Sequence, residues 1–126
     1  MLDPDFSKIA NALGLMYPPA FWLAFNDLVT LSRTAGFQSS FPRARFIHSI
    51  GDIRKARKVL PHRLTPFLLD ERPKHTDYYC FTGPVFDSGN AVVVFADHAI
   101  VGDWTDFTTF LVWLTLQSAR SNVRAW

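Results

Sequence analysis

The first third of the chain has apolar residues at the spacing of helices. Phe6, Ile9 and Leu13 lie three or four positions apart, which places their side chains on one helical face. Asp3 is a suitable cap for this helix, and Gly14 a suitable end, because glycine adopts the left-handed conformation that often terminates helices. The pattern therefore predicts a helix over residues 3–13.

A second helix is predicted from Pro18-Pro19 to about Ser32, since proline is tolerated in the first turn of a helix. One side of it carries apolar side chains, namely Phe21, Phe25, Leu28 and Val29. Gly36 and the pair Ser39-Ser40 follow, and small, polar residues of this kind favour a loop.

The next segment predicts a short strand and a basic helix. Residues Arg45 to His48 alternate weakly and predict the strand, and Ser49 to Asp52 match the pattern of a capping box. Pro61 should end the helix. Its inward-facing residues are predicted to be Ile53, Ala56, Val59 and Leu60. Its mostly outward-facing residues are predicted to be Arg54, Lys55, Arg57 and Lys58.

Beyond residue 64 the pattern changes to that of strands. The segments 65–69, 78–82 and 91–96 are rich in aromatic and β-branched residues and are separated by turn-forming residues. One such loop is predicted at Gly83-Pro84 and residues 87–90. Asp97-His98 is predicted to turn the chain into a short edge strand over residues 99–101.

The last element is predicted to be a helix capped at Asp103 and running to about Ala119. Its main apolar stripe consists of Phe107, Phe110, Leu111 and Leu114. Off that stripe lie Val112, Trp113 and Leu116, so this helix is either packed on several sides or leaves a patch for a partner. The order of elements predicts a single α+β domain over residues 1–126. It has two N-terminal helices, a mainly antiparallel central sheet wrapped by helices, and a C-terminal helix.

Composition and charge add an unequal distribution to this picture. The 126 residues include 15% aromatics, more than a domain of this size can enclose, and exposed aromatics favour protein interfaces. Residues 43–75 have a net charge of +6, between ends of −1 and −3. Such a basic segment can steer an acidic partner, or it can simply be solvated surface.

Cysteine usage and the chain's start suggest a location. Cys80 is the only cysteine, so no internal disulfide can form; its apolar neighbours predict that it is a core residue. The acidic start, Met1 to Asp5, lacks the design of a secretion signal. No apolar run approaches the ~20 residues that span a bilayer. We therefore expect a soluble, cytoplasmic protein.

A survey of catalytic patterns predicts no enzyme. The sequence has no phosphate-binding glycine loop, no paired-cysteine zinc pattern and no nucleophile elbow. Asp97, His98 and Asp103 are the best group of possible metal ligands, but a turn and a helix cap account for the two aspartates. No catalytic residue, cofactor or metal is therefore predicted.

Three blocks of the sequence together resemble the SUKH superfamily, the Smi/Knr-type domain. The first block is Leu13-Gly14-Leu15 with Tyr17-Pro18-Pro19-Ala20-Phe21-Trp22. The second is Leu64-Thr65-Pro66-Phe67 followed by Asp77-Tyr78-Tyr79-Cys80-Phe81. The third is Val92-Val93-Val94-Phe95 leading into residues 103–111. The resemblance covers nearly the whole chain and implies an α+β fold with a central sheet wrapped by helices.

What the resemblance implies about function is binding. Bacterial members of the superfamily are mostly immunity proteins that bind and neutralise toxin domains, often nucleases or deaminases. We therefore expect a cognate toxin as the partner and no membrane association. The sequence does not decide the oligomeric state. The residues expected to contact it are Arg54, Arg57, Lys58 and Trp113. Two alternatives are a nucleic-acid-binding module that uses the basic segment 43–75, and an enzyme centred on Asp97, His98 and Asp103.

Overall fold

The computed structural model describes residues 17, 19–47, 49–61, 63–82 and 91–124, with the side chains of 19, 20, 22 and 120–124 excepted. The predicted helix over 3–13, the loop over 83–90, His48, His62 and Trp126 lie outside the described residues. None of the described helices is both long enough and apolar enough to cross a bilayer.

The described chain forms four helices and a five-stranded antiparallel sheet of strand order β1-β2-β3-β4-β5. In chain order the elements are α1 (Pro19–Ser32), α2 (Ala35–Ser40), β1 (Ala44–Phe46), α3 (Ile50–Arg57), β2 (Leu64–Glu71), β3 (Thr76–Thr82), β4 (Val92–Ala96), β5 (Ala99–Trp104) and α4 (Phe107–Arg124). The predicted α+β class and antiparallel sheet are confirmed.

One face of the sheet packs against α1 and α4 through aromatic rings. Phe67 of β2 and Phe81 of β3 lie on this face with ring centroids 4.5 Å apart. Phe67 contacts Phe110 of α4 at 5.3 Å, and Phe81 contacts Phe21 of α1 at 5.8 Å. These four side chains are at most 2% exposed. Burial of apolar area on this scale is the main stabilising contribution to a domain.

The opposite face of the sheet is covered in part by α3. Arg45 of β1 is in register with Leu69, which in turn pairs with Tyr78, so these residues share a face. Arg45 Nη2 donates to Asp52 Oδ1 of α3 at 2.8 Å, which places α3 on this side. Ile53 and Ala56 of α3, and Leu60 of the turn after it, are buried in the core.

One of the two hydrogen bonds of the capping box predicted at the start of α3 is present. Ser49 Oγ accepts a hydrogen bond from the Asp52 backbone N–H at 3.3 Å, as a capping serine does. The prediction that Val59 faces inward is wrong, since 46% of that residue is exposed. Because the helix ends at Arg57, helical spacing no longer decides where Val59 points.

The loop predicted at Gly36 and Ser39-Ser40 is wrong, because these residues form α2. Thr34 Oγ1 caps this helix by accepting from the Phe37 backbone N–H at 3.2 Å, and Phe37 is fully buried. Burial of that ring and the cap outweigh the weak helix preference of glycine and serine. Ser40 then donates from Oγ to the Gln117 carbonyl at 2.8 Å, which ties α2 to α4.

The cap of the last helix also differs from the prediction. Asp103 lies in β5 opposite Val93, so its backbone belongs to the sheet. Asp106 caps α4 instead, with Oδ1 accepting from the Thr109 backbone N–H at 2.8 Å. The helix extends beyond the predicted end, to Arg124.

The turn predicted at Asp97-His98 is confirmed and has an unusual backbone. Ala96 pairs with Ala99, so the loop has two residues, with φ of 49° at Asp97 and 68° at His98. Two left-handed residues of this kind form the hairpin turn that asparagine and glycine favour. A bulge follows, since Val94 pairs with Gly102 but Phe95 pairs with Ile100.

We predict that Phe67→Ala destabilises the fold by about 3–5 kcal/mol, the usual cost of removing a buried aromatic ring. Phe67 contacts Phe21, Phe81, Phe107 and Phe110, so the cavity would lie between the sheet and both helices. Urea unfolding monitored by circular dichroism measures the change. Leu23→Ala is the matched control, because Leu23 is 86% exposed and should shift stability by less than about 0.5 kcal/mol. Equal effects of the two substitutions would contradict the packing described above.

Candidate functional site

A half-open cleft of about 210 Å³ lies on the α3 side of the sheet. Its floor consists of Tyr78 and Phe95, which are register partners on neighbouring strands, and Val59 forms a wall beside α3. Tyr78 and Phe95 are 7% and 8% exposed, respectively. The cleft therefore has an aromatic floor that the main chain holds in place.

The rim of the cleft comes from two hairpin turns at the same end of the sheet. The β2–β3 turn contributes Lys74 and His75, and the β4–β5 turn contributes Asp97 and His98. All four residues are exposed. The antiparallel register of β3 and β4 places these turns side by side. The cleft thus combines an apolar floor with charged and polar groups, as ligand and hot-spot pockets do.

The third alternative, an enzyme at Asp97, His98 and Asp103, is only partly assembled. Asp97 and His98 line the cleft, whereas Asp103 lies along β5 opposite Val93. Within the described part of the chain, no group of three or more histidines, cysteines or acidic residues could hold a metal ion.

The predicted basic surface of α3 separates into exposed and engaged residues. Arg54, Lys55 and Lys58 are exposed. Arg57 is half-buried: Nη1 donates to the Pro61 carbonyl at 3.2 Å, and Nε is buried without a hydrogen-bond partner among the described residues. Burial lowers the pKa of this guanidinium. Arg54 and Lys58 are therefore the accessible predicted contact residues, while Arg57 also packs against the fold.

Trp113 lies on the other side of the sheet from this basic surface. Its ring packs at 4.8 Å from Trp104 and 5.8 Å from Phe41 and Phe110. The side chain is half-buried, and these rings fix its position. The structure therefore does not bring Trp113 together with Arg54 and Lys58, and a partner contacting all three would have to wrap around the sheet.

Two of the three apolar residues predicted to lie off the main stripe of the last helix are exposed to solvent. Val112 and Leu116 are 55% and 56% exposed, and with Leu111 they border a shallow groove on α4. This groove lies on the same side of the sheet as Trp113. It is the kind of patch that an amphipathic helix leaves when only one of its faces is packed.

Sequence reasoning missed a buried acidic pair at the end of the β2–β3 hairpin. Asp70 and Asp77 are cross-strand partners, 3% and 8% exposed. Arg72 lies between them, 3.2 Å from each carboxylate. Asp77 Oδ1 accepts no hydrogen bond from the described residues, although His75 Nε2 lies 3.0 Å away. The signal was the position of the two aspartates in the strands on either side of a tight turn.

Protonation of Asp70 affects the stability of this hairpin. Burial raises the pKa of Asp70, the Arg72 guanidinium opposes the rise, and the nearby Asp77 carboxylate adds to it. Like charges directly opposite each other on a sheet are destabilising. Ionised Asp70 therefore costs stability, and Arg72 offsets part of that cost.

Cys80 is confirmed as a core residue, being fully buried on β3. Burial raises the pKa of its thiol well above the ordinary value, and the positive charge of Arg57 offsets this only in part. The thiolate is the nucleophilic form of cysteine. The structure therefore gives Cys80 a packing role.

We predict that a thiol reagent such as 5,5′-dithiobis(2-nitrobenzoate) reacts with native Cys80 at least about 100-fold more slowly than with the urea-unfolded chain, because the thiol is both buried and protonated. Absorbance at 412 nm measures the rate. Rapid labelling of the folded protein at pH 7 would contradict the burial of this residue.

We also predict that Asp70→Asn raises the melting temperature at pH 7 and that the gain shrinks as the pH falls. A carboxyl with a raised pKa in the folded state binds its proton more tightly there than in the unfolded chain. The wild-type penalty is therefore fully present above the folded pKa and disappears below the unfolded value of 3.8. Thermal unfolding followed from pH 7 to pH 3 measures the effect.

Asp106→Ala is a control of opposite sign for this pH dependence. Hydrogen bonds from the start of α4, chiefly from Thr109, lower the pKa of Asp106. Its stabilisation is present at neutral pH and is lost as the pH falls through the folded pKa. Asp106→Ala should therefore be destabilising at pH 7 and nearly neutral in acid. If Asp70→Asn instead lowers the melting temperature at pH 7, and this loss shrinks in acid as for Asp106→Ala, the interpretation of the acidic pair is wrong.

Comparisons of this chain with protein-family models, curated proteins and solved structures find no match.

Proposed function

We propose that this chain is an immunity protein of the SUKH type, which binds a cognate bacterial toxin domain and neutralises it by occluding its working surface. The observation that carries the proposal is the grouping of exposed basic residues and a cleft on one face of the sheet. Arg54 and Lys58 of the basic segment are exposed on α3 and its cap, and Val59 continues directly into the cleft wall. The sequence blocks that resemble the superfamily give the proposal its partner class.

The exposed apolar side chains on this face favour a protein as the partner. Val59 is 46% exposed and Ile100 44% exposed, and Ile100 is the register partner of Phe95 in the cleft floor. Stable protein interfaces combine a desolvated apolar centre with a polar rim. The α3 face supplies both kinds of group, whereas the α4 groove is bordered mainly by apolar residues and threonines.

The size of the molecule sets what such an interface requires. A standard interface buries roughly 800 Å² on each partner, which is about one-tenth of the chain's accessible surface of 7487 Å². Accessible charges on the α3 face would speed encounter with an acidic toxin surface and fix its orientation.

Nucleic-acid binding by the same face is the second candidate, favoured by the exposed cations Arg54, Lys55 and Lys58. Ion pairs already engage two of the nine arginines and lysines in the basic segment. Arg45 is ion-paired with Asp52 and Glu71, and Arg72 with the acidic pair. Fewer cations are therefore free to replace the counterions of phosphates, which is the main source of nucleic-acid affinity.

We expect co-expression of this chain to restore growth of cells that express the toxin domain encoded beside it in the same genome, and the two proteins to co-purify. Arg54→Glu should weaken the complex by about tenfold or more, because it places a like charge against an acidic surface. Isothermal titration calorimetry measures the affinity, and colony counts measure protection.

Arg33→Glu is the matched control, since Arg33 is an equally exposed arginine in the turn between α1 and α2 and should leave both readouts unchanged. Absence of rescue and of a complex with every neighbouring gene product would refute the proposal. Tight, steeply salt-dependent binding to DNA or RNA would favour the second candidate instead.

A further inference from the structure

We infer that the cleft between the two hairpin turns is the anchor pocket for the partner, and that it receives one large aromatic side chain from a segment with flanking acidic residues. The inference rests on the proposed function, because it names the contact through which a protein partner would be held. The partner is identified here by chemistry alone, as an acidic segment that carries an exposed aromatic ring.

The volume of the cleft decides between a side chain and a cofactor. Sites for small molecules and cofactors usually enclose about 300–1,000 Å³, whereas this cleft holds about 210 Å³. That space suits a single large side chain. At many interfaces, a few aromatic side chains buried in such pockets account for most of the binding energy.

The floor of the cleft has the geometry that an aromatic ring requires. Tyr78 and Phe95 lie side by side across β3 and β4, so a third ring can meet them edge-to-face or offset, the two arrangements that aromatic pairs prefer. Val59 is exposed on the wall, and covering it would remove further apolar area from water.

The rim determines the charge of the segment that carries the ring. Lys74 provides a positive charge and His98 an imidazole N–H donor, whereas His75 Nε2 already lies 3.0 Å from Asp77 Oδ1. Asp97 is the one acidic residue among the described lining. Lys58 adds another exposed cation, directly before Val59 in the chain. Flanking carboxylates on the partner would therefore find more cationic and donor groups than repelling ones.

The backbone of the β4–β5 turn is a second observation that points to this end of the sheet. Asp97 and His98 both adopt a left-handed backbone, with φ of 49° and 68°, where glycine or asparagine would fit with less strain. Strained residues of this kind concentrate at functional sites. The turn thus places Asp97 and His98, rather than glycine, at the rim of the cleft.

The test uses synthetic peptides as probes of the full chain. The primary probe is acetyl-Asp-Glu-Phe-Glu-Asp-amide, and the matched probe replaces its phenylalanine by alanine. In two-dimensional ¹⁵N NMR titrations we expect the aromatic peptide to shift the amides of residues 74–78 and 95–98, and the alanine peptide to bind at least about tenfold more weakly. Equal binding of the two peptides, or shifts confined to α4, would overturn the inference.

Charge variants at the rim give effects of opposite sign. Lys74→Glu should weaken binding of the aromatic peptide about fivefold or more, and Asp97→Asn should strengthen it about twofold to fivefold. Asparagine tolerates the left-handed backbone, so the turn should be preserved in Asp97→Asn. Arg33→Glu is the control outside the cleft and should leave the affinity unchanged. If Lys74→Glu and Asp97→Asn bind the peptide with the same affinity as Arg33→Glu, the rim does not take part in recognition.

The remaining outcomes separate this inference from the proposed function. If benzoate alone binds the cleft as tightly as the peptide, the cleft is a small-molecule site and the inference fails, while toxin neutralisation can still hold. If the peptide binds as predicted but no neighbouring gene product is neutralised, the anchor pocket stands and the proposed function fails. If a toxin complex forms with unchanged affinity for Lys74→Glu and Asp97→Asn, the function stands and its anchor lies elsewhere.

Discussion

The aromatic contacts between one face of the sheet and helices α1 and α4 are the constraint on which the rest of the structure depends. Phe67 and Phe81 lie at the centre of these contacts, with ring centroids within 5.9 Å of rings from both helices. Among the described residues, the helix that lies on the opposite face is α3, which has eight residues. The cleft lies beside it, over Tyr78 and Phe95.

The two faces therefore differ in what they can do. The face under α1 and α4 is filled by rings, including the half-buried Trp113. The exposed residues of these two helices are mostly uncharged, a mixture of apolar residues and threonines. The face under α3 presents cations and a cleft whose rim comes from the turns of two hairpins. The second face therefore offers a partner both apolar and charged groups within a small area, as protein interfaces do.

Much of the fold could be predicted from periodicity, because helices and strands with one dominant apolar face reveal themselves in sequence. The strands, the Asp97-His98 turn and the burial of Cys80 were all predictable in this way. The helix α2 was not, since Phe37 is its one large buried side chain and its neighbours are weak helix formers. Tertiary contacts decide such short elements.

The site was harder to predict than the fold. The rim combines Lys74 and His75 with Asp97, which follows them by more than twenty positions in the sequence. The register of β3 and β4 brings these residues together. The pair Asp70 and Asp77 was hidden for the same reason, because cross-strand partners depend on the length of a turn. The accessible residues of α3 were predictable because they are contiguous in the sequence.

The bulge beside Gly102 has a consequence for the behaviour of the protein at high concentration. In the described sheet, β1 and β5 are the outer strands, and unpaired edges can template the addition of another sheet. The strand β1 has only three residues. The strand β5 is longer and carries exposed Ile100 and Val101, but its bulge interrupts the regular ladder that a second chain would need. The molecule can thus display apolar residues at its margin with little tendency toward amyloid-like growth.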